Sequence, residues 1–183
     1  MDLKKALTLT VTEFEKNNIT YAIIGGFAVG ALGVPRSTID LDFLVSSETL
    51  PKVEAIMLAL GYKKVFSSEN ASQYVSPSPE MGEVDFLHAF RPISLKMLSE
   101  AETLPVFGKE TRVKVLKAED IIALKLQSIN NNPDRLEVKV GINKKLVAKA
   151  SQNDLDAAAQ IHHFPDFIQE SSFVSEQIKK LHD

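Results

Sequence analysis

Residues 23–45 read IIGGFAVGALGVPRSTIDLDFLV, an apolar run interrupted by a glycine pair, Gly25-Gly26, and then by two carboxylates one residue apart, Asp40 and Asp42. Tyr21 to Ile24 is short and rich in β-branched residues and reads as a strand. The small apolar residues from Phe27 to Leu32 read as a short helix closed by Gly33 and Pro35. A second strand is expected from about Thr38. Its period of two places Ile39, Leu41, Phe43 and Val45 on one face and Asp40, Asp42 and Leu44 on the other. One face then packs while the other presents charge.

Alternate residues of a strand lie roughly 6.5 to 7 Å apart on one face, so Asp40 and Asp42 can converge on one small volume. Two like charges held together call for a cation, and hard oxygen donors suit Mg2+ or Mn2+. Gly25 and Gly26 sit where a strand turns into a helix, and their missing side chains let a ligand approach the backbone. Helix N-termini favour phosphate. A phosphate cradle beside a divalent-metal site is the layout for a metal-bound nucleoside triphosphate. Arg36, just upstream, suits a triphosphate oxygen or a site carboxylate through its planar fork.

Working outward, residues 3–16 carry Leu3, Leu7, Val11 and Phe14 at helical spacing. Leu50 to Leu60 is a further helix with Gly61 at its end. Strands are expected over Tyr62–Phe66, Gln73–Ser76 and Glu83–Leu87, a helical turn over Pro92–Ser99, and a hairpin over Thr103–Phe107 and Arg112–Leu116 around Gly108. Ala118 to Ile129 reads as a helix with Glu119 and Asp120 complementing its dipole. Lys125 there shares the face of Ile121, Ile122 and Ile129, a charge in an apolar stripe whose plain alternative is a snorkelling side chain. The Asn130–Pro133 cluster marks a boundary, followed by a basic stretch and two helices over 154–161 and 172–181. The expectation is an α+β fold, a mixed sheet flanked by helices, with a core over 1–130 and a mainly helical region over 131–183.

The chain has 183 residues, 44% hydrophobic and 25% charged, enough for a substantial core. It lacks cysteine, which excludes disulfides, thiolate zinc sites and cysteine nucleophiles. Its net charge of −3 gives no global attraction to nucleic acid, so an RNA acceptor would need a local patch such as Lys139–Lys149. No signal peptide or membrane span is read, so a cytoplasmic protein with no membrane partner is expected. His162-His163 lacks the spacing of a metal pair.

The succession Ile24-Gly25-Gly26, thirteen residues, then Asp40-Leu41-Asp42-Phe43 resembles the signature of the nucleotidyltransferase superfamily with a DNA polymerase β-like core. The further pattern Arg36-Ser37-Thr38-Ile39-Asp40-Leu41-Asp42 resembles the bacterial branch of AbiEii-type toxins and aminoglycoside 2''- and lincosamide-modifying enzymes. The resemblance covers about residues 19–130. It implies a third carboxylate on a later strand, for which Asp85 in EVDFLHAF is preferred over Glu83, and a nucleotide-site lysine matching Lys125 in EDIIALK. It places Arg36 and Thr38 at the nucleotide and implies Asp40, Asp42 and Asp85 as both metal ligands and catalytic residues. A further motif would fall near Gln152, Asp154 and Asp156. The implied reaction moves a nucleoside monophosphate from an NTP, ATP being one donor, to an acceptor that is a small molecule, a tRNA or a protein. An antitoxin partner is a further implication of that branch. The alternative is a nucleotide- or partner-binding module without turnover.

Overall fold

The computed structural model describes residues 1–34, 37–108 and 111–130. Contacts divide the chain into two units, Met1–Ala118 and Glu119–Asp183. Arg36, the basic stretch, the histidine pair and the expected C-terminal helices lie outside the described residues.

In the first unit, helix α1 (Leu3–Lys16) starts where the Asp2 carboxylate accepts from the Lys5 backbone N–H at 2.9 Å. It buries Leu7, Val11 and Phe14 along one stripe, as the spacing predicts. Asn18 takes a positive φ of 54°, and the Ile19 N–H returns to the Phe14 carbonyl, closing the helix and turning the chain into β1 (Tyr21–Ile24). Helix α2 (Gly25–Ala31) follows directly, then β2 (Leu41–Ser46), a 3-10 turn (Ser47–Thr49) and α3 (Leu50–Ala59), which ends at Gly61 in the left-handed region. Strands β3 (Lys63–Ser67), β4 (Ala71–Val75) and β5 (Glu83–Ala89) come next, then α4 (Pro92–Ser99) and the hairpin β6 (Glu102–Val106) and β7 (Thr111–Val115).

The seven strands form one sheet in the order β3-β4-β5-β2-β1-β7-β6. It is mixed: β2 and β5 run parallel, as do β1 and β7, and the other neighbours are antiparallel. The register puts Leu41, Phe43 and Val45 of β2 opposite Val84, Phe86 and His88 of β5. That face is the aromatic core. Phe43 stacks on Phe86 with centroids 5.6 Å apart, Phe14 of α1 meets Phe43 edge-on at 5.7 Å, and Tyr74 of β4 meets Phe86 at 5.5 Å. Such pairs are stabilising beyond their buried area. His88, buried on this face, has its Nδ1–H directed at the Glu69 carbonyl (2.9 Å), so Nε2 accepts from the Ser72 hydroxyl (3.0 Å).

Several strand ends shift by one or two residues from the sequence-based expectation, and two boundaries beside the carboxylates differ in a way that matters. Strand β2 begins at Leu41 rather than near Thr38, and Ile39, expected in the core, is 76% exposed. The reason is pairing: β1 ends opposite Asp42, and the β5 ladder begins with Leu41 against Val84, so among the described residues no strand ladder extends before Leu41. Helix α2 starts at Gly25 itself, two residues before the expected Phe27.

Helix α5 (Ala118–Asn130) lies almost wholly in the second unit. Ile121 and Ala123 are buried, whereas Ile122 is 38% exposed. Among the described residues no helix is long and apolar enough to cross a membrane.

Candidate active site

The sheet face opposite the aromatic core carries the carboxylates. Because β2 and β5 are parallel and in register, Asp42 stands directly opposite Asp85. Because β1 is antiparallel to β2, its last residue, Ile24, stands opposite Asp42 from the other side, and the chain then turns at Gly25. The glycine is required there twice over. Its φ is +67°, a conformation side chains rarely adopt, and a Cβ would lie 1.9 Å from Asp42 Oδ2 and 2.5 Å from Asp42 Cγ. The Asp42 carboxylate thus packs where a side chain at 25 would be. Gly26, buried, follows in the first turn of α2, which receives no side-chain cap from Ile24.

Asp40 lies outside β2, exposed, in the segment leading into the strand. The Thr38 hydroxyl donates to the Asp40 backbone carbonyl at 3.3 Å, bracing that segment. Asp85 and Glu83 share one face of β5, and Gln73 of β4 stands opposite Asp85 on the same face. The Gln73 side-chain amide donates to Glu83 Oε1. Lys125 is half-buried on α5, in the second unit.

These carboxylates act on one another. Burial holds the Asp85 carboxyl above the ordinary aspartate range, the charges of Asp42 and Asp40 push the same way, and a hydrogen bond from Gln73 opposes them. Glu83 is raised too, by burial first and then by Asp85 and Asp40. Asp40, though outside the strand, belongs to the same field. Asp85 Oδ1 is buried without a hydrogen-bond partner, a state that costs free energy unless a ligand or cation meets it.

Among the described residues no three acidic or histidine side chains are gathered as a ready-made cation cage. The donors suit Mg2+ nevertheless, since that ion commonly takes one or two protein carboxylates and fills its remaining positions with water and phosphate oxygens. The opposed pair Asp42 and Asp85, with Oδ1 of the latter unpartnered, is a donor set of that kind.

Gly25, Gly26, Asp40, Asp42 and Asp85 are the candidates that the sequence singles out, with Glu83 as a competitor to Asp85; Gln73 is not among them. The structure brings Asp42, Asp85, Glu83 and Gly25 together with Gln73. Its only sequence signal is strand parity, which means nothing until β4 is paired to β5.

No protein-family model matches the chain, and no curated protein matches its sequence significantly. Solved structures do. The chain is similar to ANT(2'')-Ia in complex with adenylyl-2''-tobramycin, with a TM-score of 0.59 and 14% identity over 98% of each chain. It is similar to the antibiotic-resistance factor ANT(2'')-Ia in solution, at 0.58 and 16% over 100% of each chain. A candidate nucleotidyltransferase from Thermotoga maritima follows at 0.51 and 14%, over 81% of this chain and 96% of that one. With the mixed sheet and the paired carboxylates in place, these likenesses establish that the chain has the nucleotidyltransferase fold.

Proposed function

We propose that the protein is a nucleotidyltransferase that moves a nucleoside monophosphate from an NTP to an acceptor and releases pyrophosphate. The observation that carries this reading is the in-register pairing of Asp42 with Asp85 beside the Gly25 turn. Like charges so placed are destabilising in themselves, which a non-catalytic binding module has no physical reason to keep.

In this reading Asp40, Asp42 and Asp85 would hold Mg2+ or Mn2+, with Asp85 on the side of the nucleophile. Bound metal supplies charge neutralisation on the triphosphate and on the oxygens entering and leaving phosphorus. The backbone of Gly25 and Gly26 receives the phosphates, which the absence of side chains allows. Arg36, Thr38 and Lys125 are assigned to the donor nucleotide. The acceptor oxygen forms its bond to the α-phosphorus, the bond from that phosphorus to the bridging oxygen breaks, and the acceptor proton passes toward Asp85. A carboxyl held above its usual range by burial is a better proton acceptor than an ordinary aspartate. Positioning and electrostatics do the rest.

The adenylyl-2''-tobramycin bound by ANT(2'')-Ia makes a hydroxyl of a small molecule the first acceptor to test and ATP the first donor. A tRNA end and a protein side chain belong to the same acceptor screen, and an antitoxin in the cytoplasm is the binding partner that this reading adds. Each NTP, incubated with Mg2+ and the acceptor panel, should release pyrophosphate. Asp42→Asn should abolish the release, and Asp85→Asn should slow it by about 10² to 10⁴-fold, the usual worth of a general base. Undiminished release by Asp42→Asn would overturn the assignment.

A further inference from the structure

The sheet and the segment entering β2 bring four carboxylates to one neighbourhood, yet the proposed chemistry assigns only three. Glu83 is the surplus. It sits two residues before Asp85 on the same strand face, and untied it would compete with Asp85 for any cation. Gln73 stands between them in function. It is directly opposite Asp85 in the β4–β5 ladder, half-buried, and its side-chain amide donates to Glu83 Oε1. The same side chain lies across the ladder from Asp85, whose Oδ1 is left unpartnered.

We infer that Gln73 is a positioning residue: its amide ties Glu83 down and steadies Asp85, so that Asp85 presents its free Oδ1 to the cation and Glu83 does not. The inference rests on the proposed function, because it assigns Asp85 and not Glu83 to the metal. The chemistry is specific to an amide. A carboxamide NH2 offers two donors and can serve two carboxylates at once. A hydroxyl offers one, and an apolar side chain offers none, leaving Glu83 and Asp85 to repel each other. Outer partners of metal ligands typically matter by 10- to 100-fold in metal affinity or activity.

The test is Mn2+ binding by the full chain without nucleotide, followed by calorimetry and by the electron paramagnetic resonance of free Mn2+. Wild type is compared with Gln73→Met, which keeps the length and removes the amide, and with Gln73→Thr, a good strand former too short to reach. Both variants should bind Mn2+ at least about 10-fold more weakly, and kcat should fall with little change in the KM for the NTP. In Gln73→Met/Glu83→Gln the amide is returned from the other strand, and Mn2+ affinity should recover most of the loss. Wild-type affinity in either folded single variant, or no recovery in the double variant, overturns the inference while leaving the nucleotidyl-transfer reading intact. Failure of the wild-type protein to bind Mn2+ overturns both, and that result is visible before any variant is made.

Discussion

Gly25 has no room for a methyl group, because Asp42 occupies the space. Gly25→Ala therefore combines backbone strain, of about 1 to 3 kcal/mol for a non-glycine residue at positive φ, with displacement of a site carboxylate. A lower urea midpoint together with lost Mg2+-dependent nucleotide binding is expected; a variant that retains both would contradict the packing described. Asp85 makes the opposite case. Its folded carboxyl has a raised proton affinity, so its contribution to stability is present below the unfolded pKa and is lost as pH rises through the folded value. Without divalent ions, Asp85→Asn should melt above wild type at pH 7, with the advantage shrinking toward pH 4. Thermal melts at the two pH values decide it. Gly25, Asp40 and Asp42 were legible from spacing alone, because one short segment contains both the turn and the acids. Gln73 was not, because its role is created by a neighbour ten or more residues away in the chain.

At the scale of elements, alternation in β2 gave the right faces and the wrong beginning. Leu41, Phe43 and Val45 are buried as expected, but Ile39 continues the alternation into a segment that joins no strand ladder among the described residues. A hydrophobic period records which residues could face a core, whereas hydrogen-bonding partners decide where a strand starts. The two residues should answer mutation differently. Phe86→Ala, deep in the aromatic cluster and 1% exposed, should cost about 3 to 5 kcal/mol. Ile39→Ser should stay within about 0.5 kcal/mol, as an exposed substitution does. Urea denaturation measures both, and comparable losses would mean that Ile39 is buried after all. The helices were more legible than the strands: α1 spans its expected residues, since capping at Asp2 and termination at Asn17-Asn18 are local events.

For the molecule as a whole, an α+β class followed from the order of elements, but the strand order did not. Nothing in local periodicity says that β5 inserts between β4 and β2, and that insertion is what makes the candidate site. The buried core sets an alkaline limit as well. Burial pushes Tyr62 up to about 12, and burial with the nearby Glu15 charge does the same for Tyr21. The unfolded chain loses these protons near pH 10 while the folded one keeps them, so stability should fall as pH rises from about 10 to 12. Tyr62→Phe should flatten that fall and cost about 1 kcal/mol at neutral pH, since the Tyr62 hydroxyl donates to the Met81 carbonyl at 2.9 Å. An unaltered alkaline slope would count against it. The parallel rung between β2 and β5 also bears on folding. A parallel partner is reached only after a long crossover, so non-local loop closure must come first. Chain growth completes β1, the Gly25 turn and β2 before β5 exists, and Asp42 first meets Asp85 when β5 docks. The repulsion built into the site therefore falls on the step at which β5 docks, and a divalent cation that relieves it would act as a folding aid as well as a cofactor.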